Sequence, residues 1–267
     1  MENRLLQKVK NRFAYNMKAF VYWPFSLMRN TNICMWHSGR CGSTVIADLI
    51  KQDGRIDWAE EILESFSKNP PEEILGKGDL RYQIFHRINK RQRLAALRPF
   101  GFEMKIWHYK RLNLDFDDAY QITKRIGFSK HIILERKNYL RVGVSAKVAR
   151  TTGQPHLKSG QKRRRHKVNM DVSDNRLYEG IKLHEDFYRE LKQKLPKDSL
   201  YISYEDDIER DPSVGYKKVM KYAGFTPKDI KTSLRKTNPQ KLSEIIENYD
   251  AVCNSLKGTP YHWMVNT

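Results

Sequence analysis

The chain is poor in cysteine, poor in acid relative to base, and has no apolar run long enough to cross a membrane. Three cysteines among 267 residues, Cys34, Cys41 and Cys253, cannot build a disulfide framework, and no Cys-x-x-Cys pair offers zinc-site spacing. No Asn-x-Ser/Thr sequon occurs. Both absences point to a reducing, unglycosylated compartment, so the expected location is the cytoplasm. The longest apolar run, Ala19–Met28, spans ten residues and contains Pro24, whereas a membrane span needs roughly 20 apolar residues. No small-residue cleavage site follows it in the manner of a signal peptide.

What is abundant is positive charge. Fifty Lys and Arg stand against 31 Asp and Glu, a net charge of +19, with a pI near 9.8. Such a balance predicts an anionic partner: nucleic acid, an acidic membrane or glycan, or a phosphate-rich cofactor. Aromatic residues at 11% exclude a disordered polyelectrolyte, which lacks the apolar groups to offset chain entropy. The length suits one α/β domain, placed at 31–267, preceded by an arm at 1–30. In the arm, Arg4, Lys8, Lys10, Arg12 and Lys18 with Phe13, Phe20 and Trp23 have the composition of a helix lying on a membrane surface. That would make the protein peripheral to a membrane. The plainer alternative is a terminal helix docked on the domain. A second basic segment, Lys158–Lys167 (KSGQKRRRHK), carries six Lys/Arg and no acid, which predicts a mobile surface loop. Without it the net charge falls only from +19 to +13, so basicity is spread along the chain.

Short apolar runs predict buried strands at Asn32–Trp36, Phe102–Trp107, His131–Leu134 and Leu200–Ser203. Helical patterns lie between and after them: Ser43–Lys51, Arg176–Leu195 with Leu177, Ile181, Tyr188 and Leu191 on one face, and Pro212–Tyr222 with Asp211 as N-cap. Strands alternating with helices predict an α/β fold, a central parallel sheet of about five strands with helices on both faces. Ligands of such folds sit beyond the carboxyl ends of the strands, so the residues just after each strand carry the functional argument.

After the first strand comes His37-Ser38-Gly39-Arg40-Cys41-Gly42-Ser43-Thr44, leading into an apolar helix. Two glycines let the backbone approach an anion, and the helix N-terminus offers N–H donors to phosphate oxygens. Arg40 adds a permanent forked cation, and Ser43 and Thr44 add hydroxyls. The same residues also suit an ordinary glycine turn with a Ser/Thr cap. The segment is not a Walker A loop, since Gly42 is followed by Ser43 and no lysine. That absence removes the best support for an ATPase or kinase.

Arg-x-Gly-Ser-Thr after a first strand resembles the 5′-phosphosulfate loop of sulfotransferases of the bacterial carbohydrate group, which modify trehalose, lipopolysaccharide and nodulation factors. Three further segments resemble that family in the same order. After the third predicted strand, Arg136 and Ser145 stand nine apart, like the pair that clamps the cofactor's 3′-phosphate; a spacing of eight would select Lys137. Tyr204-Glu205-Asp206 follows the last strand, like the Tyr that lies near the adenine. The segments at Arg150–His156 and Lys236–Val252 are also similar. The resemblance runs from about Asn32 to the C-terminus.

It implies a P-loop-like sulfotransferase fold, the cofactor 3′-phosphoadenosine-5′-phosphosulfate (PAPS, leaving as PAP), no metal, and a hydroxyl-bearing acceptor, a carbohydrate or glycolipid. The cofactor-binding residues would be Arg40, Cys41, Gly42, Ser43, Thr44, Arg136, Ser145 and Tyr204, with Arg40 also stabilising charge on the leaving phosphate. The family's catalytic glutamate falls at Glu61, with Glu60 as the adjacent register. His108 is a rival base, because histidine titrates near neutrality. Dimers occur among relatives, and the residues of this chain do not decide that point. No metal motif accompanies these residues: His184-Glu185 begins like a His-Glu-x-x-His pair, but Tyr188 stands at the second His. Three other readings remain: a basic nucleic-acid-binding protein, in which no helix-turn-helix, zinc finger or RNP motif is evident, a nucleotide-dependent phosphotransferase with a divergent loop, and a non-catalytic member of the family.

Overall fold

The computed structural model describes residues 31–70 and 77–266, together with positions 14, 17 and 20–22. Most of the predicted arm therefore lies outside the described residues. The fold is α/β, with a five-stranded parallel sheet flanked by helices. Its strands are β1 (Asn32–His37), β2 (Asp57–Trp58), β3 (Phe100–Lys105), β4 (Lys130–Glu135) and β6 (Leu200–Ser203), in the order β2-β3-β1-β4-β6. Two further strands, β5 (Leu157–Lys158) and β7 (Leu234–Arg235), pair antiparallel as a separate ribbon.

β1 is central because all six of its residues are buried, the pattern of a strand covered on both faces. The order reverses around it, with β3 on one side and β4 on the other. In open parallel sheets the crevice at such a reversal is where ligands bind.

Contacts cluster in two compact units, one of the described residues up to Trp36 with Ile50–Ile132, the other of His37–Leu49 with Ile133–Thr267. The first packs Trp36 on Phe116, ring centroids 5.2 Å apart, and Phe102 on Phe128 at 5.0 Å. It holds the helices α2 (Glu64–Lys68), α3 (Lys77–Arg93), α4 (Ile106–Lys110) and α5 (Phe116–Ile126). The second packs Ile46, Leu191, Ile202, Tyr216 and Val219, all wholly buried. Its helices include α6 (Tyr139–Thr152), α7 (Arg176–Lys194), α8 (Tyr204–Asp207) and α9 (Pro212–Tyr222), and α1 (Ser43–Asp53) begins in it. Asp211 caps α9 by accepting from the Ser213 N–H at 2.9 Å, and Pro212 takes the first turn, where its missing donor costs nothing.

One expectation is corrected and another is sharpened. The strand placed at Phe102–Trp107 is Phe100–Lys105, and Ile106 and Trp107 open α4. The chain turns there because His108 Nδ1 accepts from the Lys105 N–H at 3.1 Å, capping a helix that the apolar run alone disguises as strand. The segment Lys158–Lys167 is an exposed surface loop, as expected, and hydrogen bonds tether it to the rest of its unit. Lys158 pairs in the β5–β7 ribbon, Arg164 Nη1 donates to Thr152 O at 2.9 Å, and Arg163 Nη2 donates to Lys236 O at 3.1 Å. No helix among the described residues is long and apolar enough to cross a membrane.

Candidate phosphate-binding site

The site is assembled from the segments just after β1, β4 and β6, all within the second unit. After β1 the backbone enters the left-handed region three times: Gly39 at φ 92°, Arg40 at φ 56° and Gly42 at φ 90°. Two of the three are glycines, which take this conformation freely; Arg40 takes it at a cost of order 1–3 kcal/mol, the kind of strain that collects at functional loops. The loop's start is braced. Tyr188 on α7 accepts from the Ser38 N–H at 3.1 Å and donates to Leu134 O at 2.8 Å, tying the loop to β4. Gly39 N–H donates to His37 Nδ1 at 3.1 Å.

Gly42 leaves room for its neighbours to come close. A Cβ there would lie 3.1 Å from Tyr204 Cδ2 and 3.1 Å from Ile208 Cγ2. α1 begins at Ser43, and Gly42 O accepts from the Val45 and Ile46 N–H groups. The N–H groups of Ser43 and Thr44 thus sit in the first turn, where the helix offers them no carbonyl. Cys41 is wholly buried, so it contributes backbone to this loop rather than an accessible thiol.

Arg40 reaches α6, its Nε donating to Ser145 Oγ at 3.0 Å. Arg136, just past β4, lies over the Tyr204 ring at 4.3 Å and donates from Nη1 to Arg40 O at 3.5 Å. Four predicted cofactor residues from four segments therefore meet: Arg40, Arg136, Ser145 and Tyr204. Lys137 faces elsewhere, its Nζ donating to Asp206 at 2.8 Å; that hydrogen bond raises its pKa. Glu205 accepts from the Lys137 and Asn138 N–H groups at 3.1 Å each, which locks the two post-strand turns together. Asn138 then caps α6 by accepting from the Arg141 N–H at 2.9 Å.

A pocket of about 170 Å³ opens on this group, lined by Arg136, Arg141, Tyr204, Lys236, Asn238 and Trp263 among others. Three cations face it, against Glu205, already engaged with backbone, and Glu209, 3.3 Å from Lys236 Nζ. Burial, then the charge of Arg136, lower the Arg141 pKa, while Glu209 opposes the shift. Arg136 Nε is buried with no hydrogen-bond partner among the described residues. A buried donor left unpaired costs about 1–3 kcal/mol.

Sequence reasoning missed Arg141, Asn238 and Trp263 as site residues. Arg141 looks like one more solvated base on a basic helix. Trp263, 47% exposed at the pocket wall, stands far along the chain from any motif. Lys236 and Asn238 belong to the Lys236–Val252 segment already singled out.

The two proposed bases lie in the first unit. Glu61 accepts from Lys105 Nζ, and the neighbouring Glu60 accepts from Lys51 Nζ. His108 is wholly buried, and both ring nitrogens are engaged: Nδ1 accepts from the Lys105 N–H, and Nε2 lies 3.1 Å from Glu64 Oε2. Burial lowers the pKa of His108, opposed by the hydrogen bond to Glu64; that same bond holds the Glu64 carboxyl well below its usual range. This arrangement suits a bracing imidazole better than one free to collect a proton. Glu61, Glu64 and His108 also bring three possible metal ligands together, but Lys105 Nζ touches both carboxylates and supplies a cation of its own.

No protein-family model matches the chain, and no curated protein matches it.

Proposed function

We propose that the protein transfers a sulfuryl group from PAPS to a hydroxyl of an acceptor carbohydrate or glycolipid. The observation that carries this reading is the meeting of Arg40, Arg136, Ser145 and Tyr204 beside a pocket faced by three cations. When bound, PAPS supplies an activated sulfuryl group whose departure leaves charge on a phosphate oxygen. In-line transfer of this kind asks the protein mainly for positioning and charge stabilisation.

The residues divide that work. The Ser43 and Thr44 N–H groups and hydroxyls hold the 5′-phosphate oxygens at the α1 N-terminus, where the helix dipole favours negative charge. Arg40, oriented by Ser145, neutralises charge that grows during transfer. Arg136 and Arg141 hold the 3′-phosphate, and Tyr204 supports Arg136 from below. Glu61 accepts the proton of the acceptor hydroxyl, with Lys105 fixing the carboxylate. His108 is a positioning residue, braced against Glu64.

Recognition of the 3′-phosphate separates this reading from general nucleotide binding. Isothermal titration should give PAP an affinity at least tenfold above 5′-AMP, equivalent to about 1.4 kcal/mol. The Arg136→Ala variant should reduce that preference to little or none. Equal affinities for PAP and 5′-AMP in the wild type would contradict the proposal.

A further inference from the structure

A second pocket in the same unit is more strongly cationic than the first. It measures about 280 Å³ and is lined by the run Arg163 to Lys167 together with Asn238, Gln240 and Glu244. None of Arg163, Arg164, Arg165 and Lys167 forms an ion pair among the described residues; the guanidinium groups of Arg163 and Arg164 donate only to backbone carbonyls. The run is nevertheless fixed in place. The β5–β7 ribbon holds it before Arg163, and a bridge between Val168 and Ile246 holds it after Lys167. Gln154 adds a clamp, its Oε1 accepting from the Arg164 N–H at 2.9 Å and its Nε2 donating to Lys162 O at 3.1 Å.

Uncompensated like charges on a flexible loop would spread apart. Here the backbone gathers them around a concavity, and self-repulsion of this kind is relieved by a bound polyanion. The remaining walls say what else the ligand carries. Asn238 and Gln240 present amides, and Glu244 presents a carboxylate that accepts from hydroxyls. No Phe, Tyr or Trp among the described residues lines the pocket, so they offer none of the stacking surface on which single-stranded nucleic acid depends. Asn238 also lines the phosphate pocket and donates to Ser145 Oγ at 3.5 Å, which joins the two pockets at one residue.

We infer that this pocket binds an anionic glycan, a saccharide whose sulfate or carboxylate groups meet Arg163 to Lys167 and whose hydroxyls meet Asn238, Gln240 and Glu244. Its role as the acceptor's docking site rests on the transfer reading above; its binding chemistry does not.

Arg165 and Lys167 form no hydrogen bond or ion pair among the described residues, so the double variant Arg165→Ala, Lys167→Ala should fold with an unchanged ligand-free melting temperature. A heparin-derived tetrasaccharide should bind the wild type, while uncharged maltotetraose should not. The double variant should bind the tetrasaccharide at least tenfold more weakly and keep its full thermal stabilisation by PAP. Absence of tetrasaccharide binding would overturn the inference. So would tighter binding of a single-stranded oligonucleotide of equal charge, or loss of PAP stabilisation in the double variant, which would assign the run to the nucleotide site. Tetrasaccharide binding without any response to PAP would support the glycan pocket and sink the transfer reading alone.

Discussion

Gly42 carries two constraints at once, a backbone at φ 90° and side chains that would have to give by a few tenths of an ångström to admit a Cβ. Gly42→Ala should therefore destabilise the fold by about 1–3 kcal/mol, read by chemical denaturation, and weaken PAP binding by displacing Tyr204. Tyr188 makes a cleaner test of the loop's bracing. Tyr188→Phe keeps the ring and removes the hydroxyl, leaving the Ser38 N–H and Leu134 carbonyl buried without that partner, at a cost of about 1–3 kcal/mol. Stability unchanged by this substitution would mean that the loop is held in another way. At this scale Arg40 and Gly42 stand out by their place just after a strand, whereas Arg136 and Ser145 were singled out only by the resemblance to the sulfotransferase family. The sequence could not show which of Arg136 and Lys137 faces the site. That depends on Glu205 and Asp206, some 68 residues on, which draw the backbone and side chain of Lys137 away. Trp263 was illegible for the same reason, since only long-range packing brings it to the pocket.

Among the elements, strands were easier to read than their ends. β6 at Leu200–Ser203 and α9 at Pro212–Tyr222 match their sequence patterns because both begin at clear signals. β2 escaped notice: two residues cannot show a period. Its place depends on Trp58 lying against Gly101 across the parallel pair, with Trp58 Nε1 donating to buried Glu103 at 3.1 Å. A Cβ at position 101 would fall 2.2 Å from the Trp58 ring. Gly101→Ala should accordingly cost on the order of 2–4 kcal/mol by forcing the indole out of its seat. A melting temperature within one degree of wild type would contradict that packing. Lys158–Lys167 was legible as a surface loop from its charge, but the ribbon that anchors its start was not, because the partner strand lies near residue 234.

For the whole molecule, charge and buried histidine set the response to solution conditions. His184 stacks on Tyr139 at 5.6 Å, and burial lowers its pKa from 6.5 to about 4. Between those values the unfolded chain binds a proton that the folded chain refuses, so stability falls as pH drops from 6.5 towards 4. His108 acts in the same direction. The melting temperature should therefore decline by several degrees from pH 7 to pH 5, and His184→Phe should flatten part of that slope. A net charge of +19 further predicts that sulfate raises the melting temperature more than chloride does at equal ionic strength, since it both screens and occupies cationic pockets.

The central claim is that Arg40 and the loop around it hold a 3′-phosphorylated adenosine nucleotide. Thermal unfolding of the wild type and Arg40→Ala with and without PAP tests it most directly. Ligand at 100 times its dissociation constant should stabilise the wild type by about 2.7 kcal/mol, or a few degrees for a chain of this size, and the variant should show little of that shift. No shift in the wild type at millimolar PAP, or an equal shift in both proteins, would contradict the account.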